Sequence, residues 1–146
     1  MKRMKGYALV FSQFLLILII LLPLGTPAEN VILASVVVVF GVAVGVLALY
    51  ENRPNNFNIR PDIKEDATLV RSGIYAHLRH PMYASVLIVM FGFVLLYPVK
   101  FVFVSYLLLV VTLLLKLFYE ESLWKAEDSE YEEYMQQTKR LIPYIF

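Results

Sequence analysis

Apolar residues run almost unbroken through four stretches of the chain, Tyr7 to Leu24, Val31 to Tyr50, Met82 to Tyr97 and Phe101 to Tyr119, and polar residues collect between and after them. Each stretch approaches the roughly 20 residues that an α-helix needs to cross a hydrocarbon core, the third being the shortest. The pattern predicts an all-α membrane protein with four transmembrane helices, at about residues 7–24, 31–50, 82–97 and 101–119. The connections "GTPAEN" and "YPVK" are short and carry turn residues, so the helices are expected as two antiparallel hairpins, one with two and three with four.

Composition changes the picture only by strengthening it. Of the 146 residues, 60% are hydrophobic, against roughly 45–50% in a soluble domain. Lipid leaves backbone groups no water to bond, which favours helices, and the whole chain, residues 1–146, is expected to be a single integral membrane domain. There is no cysteine, so disulfides and thiolate chemistry are excluded. Two histidines, His77 and His80, are too few for a metal cage, and no metal is expected. A net charge of +1 gives no general attraction to nucleic acid, which is not expected as a partner.

Charge distribution says more than the sum. With the N-terminus in the cytoplasm, twelve of the thirteen Lys and Arg residues fall on the inner side and only Lys100 on the outer. The positive-inside rule then places both termini, segment 51–81 and segment 120–146 in the cytoplasm, with the lipid bilayer around the helices. The expected location is a prokaryotic inner membrane. "MKRMK" followed by an apolar run and Ala28 also has the look of a secretory signal, but the run exceeds the usual ~7–15 residues and a second follows at once, so a retained helix is expected. Gly41 and Gly45 form a G-x-x-x-G pair in helix two, for which internal packing is the expected use.

The polar segments carry the candidate chemistry. Segment 51–80 is too long for a plain connector and mixes Pro, Asn, Gly and charge. Residues 116–146 read as a helix leaving the bilayer and then an amphipathic tail, whose Tyr131, Tyr134 and Leu141 are suited to lie against headgroups or against the other loop. Between them stands "LRHPMYASVL" at the mouth of helix three. Pro81 suits a first helical turn, which makes His80 the cap and leaves N–H groups and a helix dipole that favour a carboxylate. Helix four returns to the same side, and at ~1.5 Å per residue Glu120 should lie within about a turn and a half of the depth of His80. Donors from Arg79 and His80 would then face acceptors from Glu120 and Glu121, an arrangement that matches a zwitterion carrying both ammonium and carboxylate.

Four elements in order, "G-x-Y" at Gly73 and Tyr75, "RHPMY" at Arg79 to Tyr83, "EESL" at Glu120 to Leu123, and the tail Tyr131, Tyr134, Arg140, Ile142 and Pro143, carry a resemblance. Over roughly residues 57–145 the chain resembles the isoprenylcysteine carboxyl methyltransferase and phospholipid methyltransferase group of integral membrane enzymes. The family segment before the first tail tyrosine usually contains Phe-Gly, whereas this chain has "AEDSEY". The resemblance implies S-adenosylmethionine as cofactor, held at the cytoplasmic face by the loop and the tail, and a lipophilic methyl acceptor arriving from the bilayer. It further implies cofactor contacts from Gly73, Tyr75, His80, Pro81, Met82, Tyr83, Glu120 and Glu121, with a glutamate on the ammonium. Arg79, His80 and Glu120 are the residues expected to act in the transfer, Arg79 by orienting a carboxylate through its paired donors. Two other readings stay open at this stage: a sterol-reductase-like membrane enzyme using NADPH, and a noncatalytic membrane scaffold.

The charge asymmetry predicts sidedness. Single cysteines introduced by Ala28→Cys and Asp66→Cys should be labelled from opposite faces of the membrane by an impermeant thiol reagent; labelling from one face would refute the orientation.

Overall fold

The computed structural model describes residues 2–29, 31–56 and 68–146, without the side chains of residues 2–5 and 53–56. The side chains of Lys2, Arg3, Lys5, Arg53, Arg60 and Lys64, on which half of the inner positive charge rests, and the first part of the family-like region lie outside the described residues. Five helices follow in order: α1 (Lys2–Leu21), α2 (Val31–Asn56), α3 (Pro81–Leu96), α4 (Lys100–Glu127) and α5 (Tyr131–Gln137), with a 3-10 turn at Gly73–Ala76. The described residues contain no strand, so the all-α class holds.

Lengths depart from the pattern in ways with local causes. α1 stops at Leu21 because Pro23 cannot continue a helix and restricts the residue before it. α2 runs past Tyr50 to Asn56 and α4 past Tyr119 to Glu127, so polar residues at both ends stay helical. Among the described residues two helices are long and apolar enough to cross a membrane, α2 over Val31–Asn52 and α4, whose apolar part runs to Tyr119 with Lys116 inside it; Gly6–Leu21 and α3 are shorter. At 16 residues, α3 extends about 24 Å, less than the ~30 Å of a typical hydrocarbon core.

Packing pairs the helices differently from the hairpins expected. The most extensive contacts are α2 with α3 and α1 with α4, with smaller contacts of α3 with α4 and with α1. Small residues explain the first pair. A Cβ on Gly41 would lie 2.8 Å from both the backbone N and Cγ2 of Val89, and one on Gly45 would lie 2.5 Å from Ser85 Oγ. The two backbones therefore approach closely, and Ser85 Oγ donates to the Gly41 carbonyl at 2.8 Å. The G-x-x-x-G pair is used inside the molecule, as its spacing in an apolar helix led us to expect.

The core joins Leu16 and Ile20 of α1, Met90 and Val94 of α3, and Val102, Leu109 and Leu113 of α4. Large apolar side chains such as Phe11, Val39, Phe91 and Leu108 are exposed on the outer faces. Water would penalise such a surface and lipid does not, which fits a protein of the membrane. At the end away from "RHPMY", Ala28 N–H donates to the Leu96 carbonyl at 2.8 Å, so the first connector is seated on the α3–α4 turn.

Gly41→Ala drives its new methyl against backbone, whereas Gly45→Ala meets a small side chain. Thermal unfolding in detergent should show Gly41→Ala as the more damaging, at about 1–3 kcal/mol; equal melting temperatures for wild type and Gly41→Ala would show that the helices do not pack this closely.

Candidate active site

The site begins with backbone. Pro81 opens α3 and His80 is its cap, with φ −125° and ψ 55° and no side-chain capping bond. The strand-like stretch before it is paired by the C-terminal tail: Lys139 N–H donates to His77 O at 3.0 Å, Arg79 N–H to Lys139 O at 2.7 Å and His80 N–H to Arg140 O at 3.0 Å. This short parallel bridge between Leu78 and Lys139 joins segments some sixty residues apart. It explains how a loop can hold His80 rigidly without a helix of its own.

Arg79 is buried and its guanidinium faces the tail. Nε donates to Glu121 Oε1 at 2.9 Å. Nη1 donates to the Thr138 carbonyl at 2.5 Å, to the Met135 carbonyl at 3.1 Å and to Thr138 Oγ1 at 3.2 Å. Arg140 Nε reaches the other oxygen of Glu121 at 3.1 Å. Glu121 is thus clasped by two guanidinium groups and lies 3.5 Å from His80 Nε2. Burial alone would raise its carboxyl, but His80 and Arg79 beside it outweigh that and hold it at about 2.

Glu120 has a different environment one residue earlier. The Tyr83 hydroxyl donates to Glu120 Oε1, and Glu120 Oε2 lies 3.6 Å from His80 Nδ1. The His80 and Tyr83 rings lie parallel, 5.5 Å apart between centroids and 1° between planes. His80 Nε2 is buried and has no hydrogen-bond partner. Its near neighbour is the Glu121 carboxylate, 3.5 Å away, an ion-pair distance without hydrogen-bond geometry.

Aromatic residues close the tail over the loop. Tyr131 stacks on Trp124 at 6.1 Å, and the Tyr134 hydroxyl donates to the Tyr75 carbonyl at 2.7 Å. Both tail tyrosines are buried; Tyr134 takes the loop, and Tyr131 packs on Trp124 of α4. Burial pushes the Tyr134 phenol up to about 12. Burial likewise raises Tyr75, aided by the Tyr134 phenol and the charge of Glu120. Both phenols are therefore neutral at physiological pH. Arg71 adds an outer latch, 3.1 Å from Glu130 and 5.8 Å from the Tyr134 ring centroid.

The residues singled out from sequence are thereby sorted by position. Arg79, His80, Tyr83, Glu120 and Glu121 meet directly, and Pro81 is buried beneath them. Met82 is half-buried in the first turn of α3. Gly73 stands apart from this cluster: its φ of +56° and the Glu51 carboxylate pressed on it leave no space for a side chain, and Ser72 Oγ donates to Glu51 at 2.8 Å. Sequence reasoning missed Gln13, and it counted Lys116 as one more cytoplasmic charge. Lys116 is 1% exposed, and its Nζ donates to Gln13 Oε1 at 2.8 Å. A lone lysine inside an apolar run was the available signal.

An all-helical membrane protein with buried ionisable groups gathered where a helix cap, a second helix and a tail converge has the anatomy of a membrane-embedded enzyme. The model described as the isoprenylcysteine carboxyl methyltransferase (ICMT) family matches residues 31–125. The chain belongs to this family of membrane methyltransferases. No curated protein matches it.

The Glu121 clasp makes stability depend on acid. Its folded carboxyl lies at about 2, below the ordinary 4.5, so the stabilisation is present above the ordinary value and is lost as pH falls towards 2. Melts from pH 7 to 2.5 should show a loss of about 3 kcal/mol below about pH 5. Glu121→Gln should be less stable at pH 7 and lack that acid limb; an unchanged limb would assign the acid sensitivity to other groups.

Proposed function

We propose that this protein transfers a methyl group from S-adenosylmethionine to a lipophilic acceptor, a prenylcysteine-like carboxylate, a lipid or a small hydrophobic molecule, at the cytoplasmic face of a prokaryotic inner membrane. In this reading α1 to α4 all span the bilayer, the shorter α3 with local thinning, and both termini lie in the cytoplasm. The single observation that carries it is the cluster of Glu120, Tyr83 and His80 at the cap of α3, set within a chain of a methyltransferase family.

The residues present fit the cofactor. It supplies an electrophilic methyl on a sulfonium, together with an ammonium, a carboxylate and a flat base. Glu120 offers the ammonium a carboxylate oriented by the Tyr83 hydroxyl, and His80 offers a buried imidazole beside it. Glu121 is clasped by Arg79 and Arg140, and Glu120, beside Tyr83 and His80, is the glutamate proposed for the ligand. Arg79 acts as a positioning residue by binding the tail that covers the loop. In-line displacement needs chiefly alignment, and these contacts supply it by holding α3, α4 and the tail in one register. A carboxylate acceptor is already nucleophilic; for an acceptor that must first lose a proton, His80 is the buried base at hand.

Titration calorimetry with S-adenosylhomocysteine and, separately, NADPH distinguishes this function from a reductase and from a scaffold. The former should bind and the latter should not. Glu120→Gln should weaken binding by about one to two decades while the melting temperature changes little. Binding of NADPH alone would favour the reductase, and binding of neither the scaffold.

A further inference from the structure

We propose that Gln13 and Lys116 are positioning residues of this site, holding the Tyr83 ring so that its hydroxyl stays on Glu120; the role rests on the methyltransferase reading above. Lys116 is the sole charged residue between Phe101 and Tyr119. Its ammonium sits 5.0 Å from the centroid of the Tyr83 ring and donates to Gln13 Oε1 at 2.8 Å. A buried cation in an apolar bundle is costly and persists where something compensates it. Here the compensation comes from a neutral amide and an aromatic face, with the Glu120 carboxylate one turn along α4, and the positive charge stays beside the ring.

Geometry connects this pair to the cluster. Lys116 and Glu120 are four residues apart on α4 and so share a helix face. Tyr83 meets both, Lys116 through its ring and Glu120 through its hydroxyl, while His80 lies parallel to the same ring. A cation on the face restrains the plane of the ring, and the plane of the ring sets where the hydroxyl points. Gln13 is buried on α1, upstream of the residues that the family match covers, so the first helix reaches the site through this side chain. A second link between α1 and α4, Ser12 Oγ to Thr112 Oγ1 at 3.4 Å, does not involve the ring. The helices therefore have an attachment independent of Lys116.

The alternative is that Gln13 and Lys116 merely fasten α1 to α4. Gln13→Glu separates the two roles, because a carboxylate keeps the fastening and draws the ammonium off the ring. The full chain in detergent is titrated with S-adenosylhomocysteine as wild type, Gln13→Glu, Lys116→Met and Lys116→Arg. The Tyr83 Cζ resonance, assigned by Tyr83→Phe in tyrosine-labelled protein, is followed without ligand. Gln13→Glu and Lys116→Met should weaken binding by about three- to thirtyfold and shift that resonance, and Lys116→Arg should restore binding to within about threefold of wild type. Wild-type affinity and an unmoved resonance in Gln13→Glu would overturn the proposal and leave a fastener, and this variant decides the matter even if Lys116→Met fails to fold. Wild type that does not bind S-adenosylhomocysteine would overturn the methyltransferase reading and this role with it.

Discussion

The buried contact between Arg79 and Glu121 is the constraint on which the polar end of the molecule depends. Two charges taken out of water cost more than their attraction returns unless every remaining donor and lone pair is bonded. The structure brings Thr138, Met135 and Arg140 to the pair, and all three belong to the tail or its helix. The need to satisfy one guanidinium thus recruits a distant segment, and the recruited segment then pairs its backbone with His77, Arg79 and His80. Losing either partner of such a pair typically costs about 3–5 kcal/mol, because the other is left charged and buried.

Adjacent glutamates consequently have unlike environments. Glu121 is enclosed by cations and held ionised far into acid. Glu120 faces Tyr83 and the Nδ1 side of His80. Successive residues on a helix point about 100° apart, so a Glu-Glu pair at the end of α4 naturally serves two directions. One direction ties the protein to itself, and the other is proposed to meet the ligand.

The apolar end follows other physics. Between lipid and protein there is little hydrophobic difference to drive helix association, so close approach at small residues supplies it. Gly41, Gly45 and Ser85 bring α2 onto α3, leaving α1 to pack on α4. That arrangement carries Gln13 of α1 to Lys116, and through it to the ring of Tyr83.

Length and period of the apolar runs determined by themselves that this chain is helical and belongs to a membrane, because lipid admits few other ways to satisfy a backbone. The order of "RHPMY", the glutamate pair and the tail tyrosines likewise determined the family, and counting rise per residue placed Glu120 near the depth of His80. Tertiary structure alone decided which helices pair, since an apolar run shows no preference among neighbours until small residues are matched in space. It alone separated Glu120 from Glu121, identical in type and adjacent in sequence, because their difference lies in which partners come from nineteen to forty-two residues away in the chain. And it turned Lys116 from a surface charge into a buried one, since burial is a property of what surrounds a side chain, which one-dimensional order does not contain.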